Sequence, residues 1–449
     1  MSFNDLNLHP LVLQALTEGG YTEATPVQAA AIPPALEGRD ILANAETGTG
    51  KTAGFLLPAL TRMAKASEDA PPLRRMPGAP RILVLAPTRE LASQVTQAVR
   101  KYGKHLRLSS VDVVGGMPYR DQLRLLSKPI DVVVATPGRL IDHVQRNRID
   151  LSTVECLILD EADRMLDMGF SEAVDFIAGA CPVNRQTMLF TATLDRRMAG
   201  LAERLLRNPV RIAVERNAAN QARIEQRLHM TDDLGHKRRL LHHFASHPDV
   251  GKAIVFAATK RDADSLAEDL VQAGHMAAAL HGDMSQGQRN RTLQRLRAGQ
   301  VRLLVATDVA ARGIDVKDIS HVINFDLPRV AEDYVHRIGR TGRAGAEGIA
   351  ISFAGRADRE TVARIERYTR EPLPVHVVPG FEPRPRSERF SAPPAGAPRP
   401  ASNRGPRPAA NANKPWQKPG RTEGGRGDGA GRSDGGRSFG GHKAGRAAR

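Results

Sequence analysis

The stretch Cys156-Leu157-Ile158-Leu159-Asp160-Glu161-Ala162-Asp163 governs how this chain is read. An apolar run of strand length ends at two adjacent carboxylates, and a third follows two residues on. A strand buried on both faces of a parallel sheet reads as such a run. In open α/β sheets, ligands bind outside the carboxyl ends of the strands. The stretch therefore predicts three negative charges where a nucleotide and its magnesium would sit. On its own it also fits a solvated loop, so its neighbours must decide.

Working outward, strand and helix patterns alternate. Asp40–Ala43, Ile82–Ala86, Val111–Val114, Val132–Ala135, Thr187–Phe190 and Val210–Val214 read as strands beside Cys156–Leu159. Phe3–Leu36 is helical in character, with Thr25-Pro26 suited to an N-cap and first helical position. A helix is predicted to about Met63, an exposed loop over Lys65–Pro80 and a helix over Arg89–Lys101. The pattern restarts with strands at Ala253–Ala257, Ala277–Leu280, Arg302–Ala306, His321–Phe325 and Ile349–Phe353. Such alternation predicts parallel sheets with helices on both faces.

Ala45-Glu46-Thr47-Gly48-Thr49-Gly50-Lys51-Thr52 lies between a strand and a helix and fits the phosphate-loop pattern, save that Ala45 replaces the first glycine. Backbone N–H groups of such a loop cradle phosphates at a helix N-terminus. Lys51 would reach the β- and γ-phosphates, and the Thr52 hydroxyl would bind Mg²⁺. Asp160 can then hold the magnesium, directly or through water, and Glu161 can orient and deprotonate an attacking water. The Gln28 amide both donates and accepts, the pairing that reads N7 and N6 of adenine and fits guanine badly. Phe3 or Tyr21 could stack on the base. Taken alone, Gln28 also reads as a solvated first-turn residue.

The second half has no phosphate loop of its own. His336-Arg337-Ile338-Gly339-Arg340-Thr341-Gly342-Arg343 sets three arginines at a spacing of three. Guanidinium groups present a planar fork that suits phosphate. Ala306–Asp315 follows a strand directly and carries polar groups at its end. With the acids and the phosphate loop in the first half, these arginines could complete a site between two domains.

The chain has 449 residues, more than one core accommodates, so at least two domains are expected. No apolar run reaches the ~18 residues of a membrane span, and Met1–Pro10 lacks the pattern of a signal peptide. Cys156 and Cys181 form no metal motif. A buried thiol at Cys156 and a reducing, cytoplasmic compartment fit. The net charge is +16, and fifteen Lys/Arg against four Asp/Glu from Arg384 to Arg449 supply +11 of it. A basic excess points to a polyanionic partner. After about Pro379, Pro, Gly, Arg, Ala and Ser dominate without periodicity, the composition of a disordered segment.

At this point the residues resemble a known family, the DEAD-box RNA helicases, whose core is two RecA-like domains. The match covers about Phe3–Val378. It rests on Gly20-Tyr21 through Gln28, the phosphate loop, Pro87-Thr88-Arg89-Glu90-Leu91-Ala92, Gly115-Gly116, Thr136-Pro137-Gly138-Arg139 and Asp160–Asp163. It continues through Thr191-Ala192-Thr193, Ile254–Thr259, Gln286–Arg289, Ala306–Asp315 and His336–Arg343. In subtype the chain resembles the bacterial RhlE type.

The resemblance implies two RecA-like parallel-sheet domains in tandem, 1–214 and 223–378, with a linker at 215–222 and a disordered basic tail at 379–449. It implies ATP and Mg²⁺ as cofactors and RNA as the partner. Ala45, Glu46, Thr47, Gly48, Thr49, Gly50, Lys51 and Thr52 would bind ATP with Phe3, Tyr21 and Gln28, and Asp315 would contact the ribose. Arg340 and Arg343 look like arginine fingers on the γ-phosphate, and Arg312 and His336 like helpers that position water with Glu161. Thr88, Arg89, Gly116, Thr136 and Arg139 would hold the RNA backbone on domain one, and Arg289, Thr307 and Asp308 on domain two. Thr191 and Thr193 would couple hydrolysis to unwinding, Thr191 standing where the family usually has serine. The implied activity is ATP-dependent, local RNA unwinding without a membrane partner. A non-enzymatic RNA chaperone and a processive DNA translocase are the rival classes; Lys51, Glu161 and Arg340 argue against the first, and Gln28, Arg89 and Gly116 against the second.

Overall fold

The computed structural model describes residues 1–45, 48–69, 76–214, 224–311, 316, 318–342 and 346–384. Glu46, Thr47, the linker at 215–222, Arg312, Asp315, Arg343 and the tail from 385 lie outside the described residues.

The first half builds a seven-stranded sheet from β1 (Ile41–Asn44), β2 (Ile82–Leu85), β3 (Ser110–Val113), β4 (Val132–Ala135), β5 (Cys156–Leu159), β6 (Gln186–Thr191) and β7 (Val210–Ala213). Its spatial order is β3-β4-β2-β5-β6-β1-β7, and every pairing is parallel. The helices between the strands are α1 (Pro10–Glu18), α2 (Pro26–Leu36), α3 (Lys51–Asp69), α4 (Arg89–Tyr102), α5 (Tyr119–Leu126), α6 (Pro137–Gln145), α7 (Ala162–Asp167), α8 (Ser171–Ala180) and α9 (Arg196–Leu205).

β5 shows why the fold was readable. Strand side chains alternate between faces. Cys156 and Ile158 enter one apolar core, and Leu157 and Leu159 enter the core on the opposite face. Each fully buried aliphatic side chain stabilises the fold by roughly 1.5–3 kcal/mol, so a charge at Leu157 or Ile158 would be poorly tolerated. Cys156 and Cys181 are both free and buried.

The second half repeats the plan with β8 (Ile224–Met230), β9 (Lys252–Phe256), β10 (Ala277–Leu280), β11 (Leu303–Ala306), β12 (Ile319–Asn324) and β13 (Gly348–Ala354), ordered β10-β11-β9-β12-β13-β8 and again parallel. Its helices are α10 (Leu234–Ser246), α11 (Lys260–Gln272), α12 (Gln286–Arg297), α13 (Asp308–Ala311), α14 (Ala331–Ile338) and α15 (Arg359–Thr369).

Three differences from the sequence reading have physical causes. β8 was not foreseen, because its Glu225, Gln226 and Arg227 interrupt any apolar run; it is an edge strand bonded only to β13 within the sheet. α3 continues to Asp69, past the expected end near Met63, because Ala64-Lys65-Ala66 are good helix formers. Part of the expected exposed loop is thus helical, and Ala79 and Pro80 are buried. Contacts also run beyond Pro379: His236 bonds the Phe381 carbonyl at 3.0 Å, and Arg384 N–H reaches Asp232 at 3.0 Å.

Candidate functional site

β5, β6 and β1 are neighbours in the first sheet, so their carboxyl ends bring three segments together. At the end of β1, Ala45 N–H donates to the Thr191 carbonyl at 2.9 Å, tying the start of the phosphate loop to the end of β6. Gly48 is exposed, while Thr49, Gly50 and Thr52 are half-buried. α3 then begins at Lys51, whose side chain is buried with no hydrogen-bond partner for its Nζ. A desolvated ammonium without a partner is unfavourable. A helix N-terminus with such a cation above it is a seat for phosphate.

Gln28 is buried, which overturns the solvated first-turn reading. Its Oε1 accepts from Thr25 N–H at 2.9 Å, and its Nε2 donates to the Gly50 carbonyl at 3.0 Å. Gly50 has φ +87°, and a Cβ there would lie 2.4 Å from the Gln28 amide nitrogen, so glycine allows this close approach. A carboxamide has two lone pairs and two N–H donors, leaving one of each for a base. Of the two rings expected to stack, Phe3 lies inside the core with Leu6, and that expectation fails on burial. Tyr21 is partly exposed, its ring edge-on to Tyr102 at 6.0 Å with Lys101 Nζ 4.6 Å from its centroid.

The acids do not all face one point. Asp160 is buried, and burial pushes its carboxyl up to about 7 against the pull of the Lys51 ammonium. Glu161 has φ 52° and ψ 52°, a left-handed conformation in a non-glycine residue. Such strain costs about 1–3 kcal/mol and concentrates at functional sites. Asp163 is turned elsewhere, and the expectation of three charges on the nucleotide is corrected to two. Its Oδ2 accepts from Ala192 N–H and Thr193 N–H, each at 3.0 Å, and from Thr193 Oγ1 at 3.2 Å. Thr191 Oγ1 donates to the Thr193 carbonyl at 2.6 Å. These bonds tie the segment after β5 to the segment after β6.

Two ion pairs join the two halves, one of them half-buried and one buried. Arg164 Nη1, on the helix that follows Glu161, meets Asp333 Oδ1 at 2.6 Å. Asp333 is on α14, which leads to Arg340, and Arg164, Asp333, His336 and Arg340 line one crevice. Arg340 is buried, its Nε donating to the His336 carbonyl at 3.3 Å. Arg337, first of the three spaced arginines, makes a two-pronged bond to Asp308 at 2.6 and 2.7 Å instead of facing a phosphate. The Asp308 carboxylate is thereby engaged.

Five of the expected RNA residues line a cleft of about 470 Å³ between the halves, and Gly116, Thr307 and Asp308 are not among its lining. Thr88, Arg89, Thr136, Arg139 and Arg289 are on its wall with Val309. Thr88 caps α4, its Oγ1 accepting from Leu91 N–H at 3.3 Å, and Thr136 is the N-cap residue of α6. Arg89 rests on Gly116, where a Cβ would be 2.1 Å from its Nη1. Thr307 is half-buried beside the start of α13, its N–H bonded to the Leu280 carbonyl at 3.3 Å. Arg289 is buried and its Nε meets Glu90 Oε1 at 2.8 Å across the cleft, so much of its fork is spent within the protein.

The sequence reading missed Arg164, Asp333 and Glu90 as charges joining the halves. No motif spacing marks such pairs, because their partners lie more than 160 residues away.

Comparison with known proteins accords with this geometry. The family model for DEAD/DEAH box helicases matches residues 25–201, and the helicase conserved C-terminal domain matches residues 236–345. The chain is 45% identical over 387 residues to the ATP-dependent RNA helicase SrmB of Escherichia coli, covering 86% of each. It is 41% identical over 394 residues to the ATP-dependent RNA helicase RhlB of Xanthomonas oryzae pv. oryzae, covering 87% of this chain and 68% of that one. The solved structure of S. cerevisiae Dbp5 bound to RNA and ADP BeF3 has TM-score 0.73 and 30% identity, covering 84% of this chain and 95% of that one. Mss116p bound to ssRNA and AMP-PNP has TM-score 0.74 and 28% identity, covering 85% and 81%.

Proposed function

This chain belongs to the DEAD-box ATP-dependent RNA helicases, and on that premise we propose how its own residues divide the work. It is an ATP-hydrolysing RNA helicase; its SrmB and RhlB relatives are consistent with an RhlE-like type. The observation that carries the division of labour is the Arg164–Asp333 pair, which holds the helix after Glu161 against the helix before Arg340.

In this reading residues 1–214 form the nucleotide-binding domain and 223–378 the domain that completes it. Lys51 and the N–H groups of 45–52 hold the phosphates of ATP, and Gln28 and Tyr21 hold the base. Magnesium fits Thr52 and Asp160 and would neutralise charge developing on the phosphates. A single coordinating carboxylate, that of Asp160, suits it, since Mg²⁺ is usually held by one or two carboxylates plus substrate phosphates; among the described residues no three His, Cys, Asp or Glu converge into an all-protein site. Glu161 takes the proton of the attacking water, positioned with His336 and Arg312. Arg340 and Arg343 meet the γ-phosphate, and Asp315 the ribose. Thr88, Arg89, Gly116, Thr136, Arg139, Arg289 and Thr307 hold the RNA backbone. Asp308, being anionic and bonded to Arg337, contributes through its backbone N–H. The Asp163–Thr193 bonds carry the state of the nucleotide to β6.

Gripping one strand in a shape that a duplex cannot adopt breaks base pairs locally. A stacked step is worth about 1.4 kcal/mol in DNA, so strain over a few steps releases a short duplex and not a long one. The test is strand release from labelled RNA duplexes of increasing length. ATP-dependent release that falls steeply with length supports local unwinding; release independent of ATP, or insensitive to length, contradicts it.

No helix among the described residues is long and apolar enough to cross a membrane. A cytoplasmic place fits the two free, buried thiols.

Gln28→Ala is expected to weaken ATP binding and to narrow the preference for ATP over GTP by about 1–3 kcal/mol, the worth of a two-point base contact. Loss of the bond to Gly50 should weaken both nucleotides besides. Binding titrations of ATP and GTP check this; unchanged discrimination removes Gln28 as the adenine reader.

Removing Arg384–Arg449 takes away fifteen cations and is expected to weaken RNA affinity while sparing RNA-stimulated hydrolysis at saturating RNA. Each neutralised phosphate on a single strand adds about 0.7 to the salt slope, so engagement of a third of these cations lowers the slope by roughly 3 to 4 on truncation. Titrations of labelled RNA at several salt concentrations measure it, and identical slopes leave the tail without a part in RNA binding.

A further inference from the structure

Gln122 lies on α5, outside every motif described above, and is fully buried. Both ends of its carboxamide are used. Nε2 donates to the Val114 carbonyl at 2.6 Å. Oε1 accepts from Arg139 Nη1 at 3.2 Å, and the ring Nε2 of His143 meets the same oxygen at 2.8 Å. Val114 leads directly into Gly115-Gly116, where Arg89 rests. Arg139 and His143 lie on α6, whose N-cap is Thr136. His143 is itself buried and stacks flat on Tyr119, with ring centroids 4.7 Å apart and planes at 4°. One amide thus joins the loop before Gly116, the helix α5 and the helix α6.

We propose that Gln122 is a positioning residue of the RNA grip on the first half: held to the loop before Gly116 by its bond to Val114, it aims Arg139 into the cleft. This goes deeper into the RNA reading above and rests on it. An amide suits the place because it must accept from two donors and donate to a carbonyl at once, and a carboxylate cannot donate at neutral pH. Its acceptance from the ring Nε2 also makes His143 the tautomer protonated there. Among the described residues the guanidinium of Arg139 has one further hydrogen bond, to the Met117 carbonyl at 3.4 Å, and lies 5.8 Å from the centre of the Tyr119 ring. Without Gln122, Arg139 must be ordered by RNA at the moment of binding. Ordering such a side chain weakens binding roughly threefold to tenfold.

The test is a mutant cycle on the full chain, read as affinity for a labelled single-stranded RNA in the presence of a non-hydrolysable ATP analogue, across several salt concentrations. The variants are Gln122→Leu, Gln122→Met, Arg139→Ala and the doubles; methionine, unbranched and close to glutamine in volume, serves if leucine does not fold. Arg139→Ala should weaken RNA binding and lower the salt slope by about 0.7, one single-strand phosphate. Either Gln122 variant should weaken binding roughly threefold to tenfold in the parent and have little further effect beside Arg139→Ala. Equal factors in the two backgrounds would show that Gln122 acts on the fold alone and overturn the proposal. Unaltered RNA affinity in Arg139→Ala would instead remove the RNA role of Arg139, and the proposal with it.

Discussion

Glu161→Gln is expected to keep ATP and RNA binding and to lower turnover by about 10²–10⁴-fold, the usual worth of a positioned general base. The amide preserves shape and removes the ability to take a proton from water. Glu161 is held at φ 52°, in a strained turn between the strand that presents Asp160 and the helix that carries Arg164. Glutamine tolerates that backbone no better than glutamate, so the strain cancels between the two proteins and the difference reports chemistry. Steady-state hydrolysis with RNA present, beside nucleotide and RNA titrations, checks it. Near-normal turnover would remove Glu161 as the base, and lost nucleotide binding would point to a disturbed phosphate loop instead.

Arg340→Ala should cost about 10³–10⁵-fold in RNA-stimulated hydrolysis, the range for an arginine finger, with a much smaller loss of ATP affinity. The guanidinium would meet charge that develops only as the phosphoryl group leaves, so the effect should fall on kcat. Arg340→Lys should rescue little, because an ammonium lacks the planar fork. Single-turnover hydrolysis at saturating ATP and RNA separates these effects. A variant that raises KM while keeping kcat would make Arg340 a binding residue instead of a finger.

Most strands were legible because they are apolar runs, several of them buried along their whole length, as β2, β4 and β5 are. Val132–Ala135, Cys156–Leu159 and Ala277–Leu280 were placed to the residue, since each is an apolar run bounded by polar turns. β8 was not, because an edge strand that pairs within its sheet only with β13 keeps polar side chains. The phosphate loop and Asp160-Glu161 could be recognised from local order alone. The direction of a side chain could not: Asp163 stands two residues from Glu161 in sequence yet bonds Thr193 across the neighbouring strand. Gln28 was singled out for its amide, but its tie to Gly50 depends on how α2 packs beside the loop. Charges that meet only when the halves adjoin, Arg164 with Asp333 and Arg289 with Glu90, leave no periodic trace.

In the proposed mechanism these pairs make hydrolysis conditional on the two halves adjoining. Removing one partner of the buried Arg289–Glu90 pair would destabilise the joined arrangement by about 3–5 kcal/mol, enough to separate a base on one half from an arginine on the other. RNA lying across the cleft would contact both halves and favour their joining. The most direct measurement is therefore the ATP hydrolysis rate of the full chain at saturating ATP, without nucleic acid, with single-stranded RNA, and with DNA of the same sequence. A low basal rate, raised by orders of magnitude by RNA and little by DNA, is expected. A rate that is already maximal without nucleic acid, or that RNA and DNA raise equally, would contradict an RNA-completed site built from both halves.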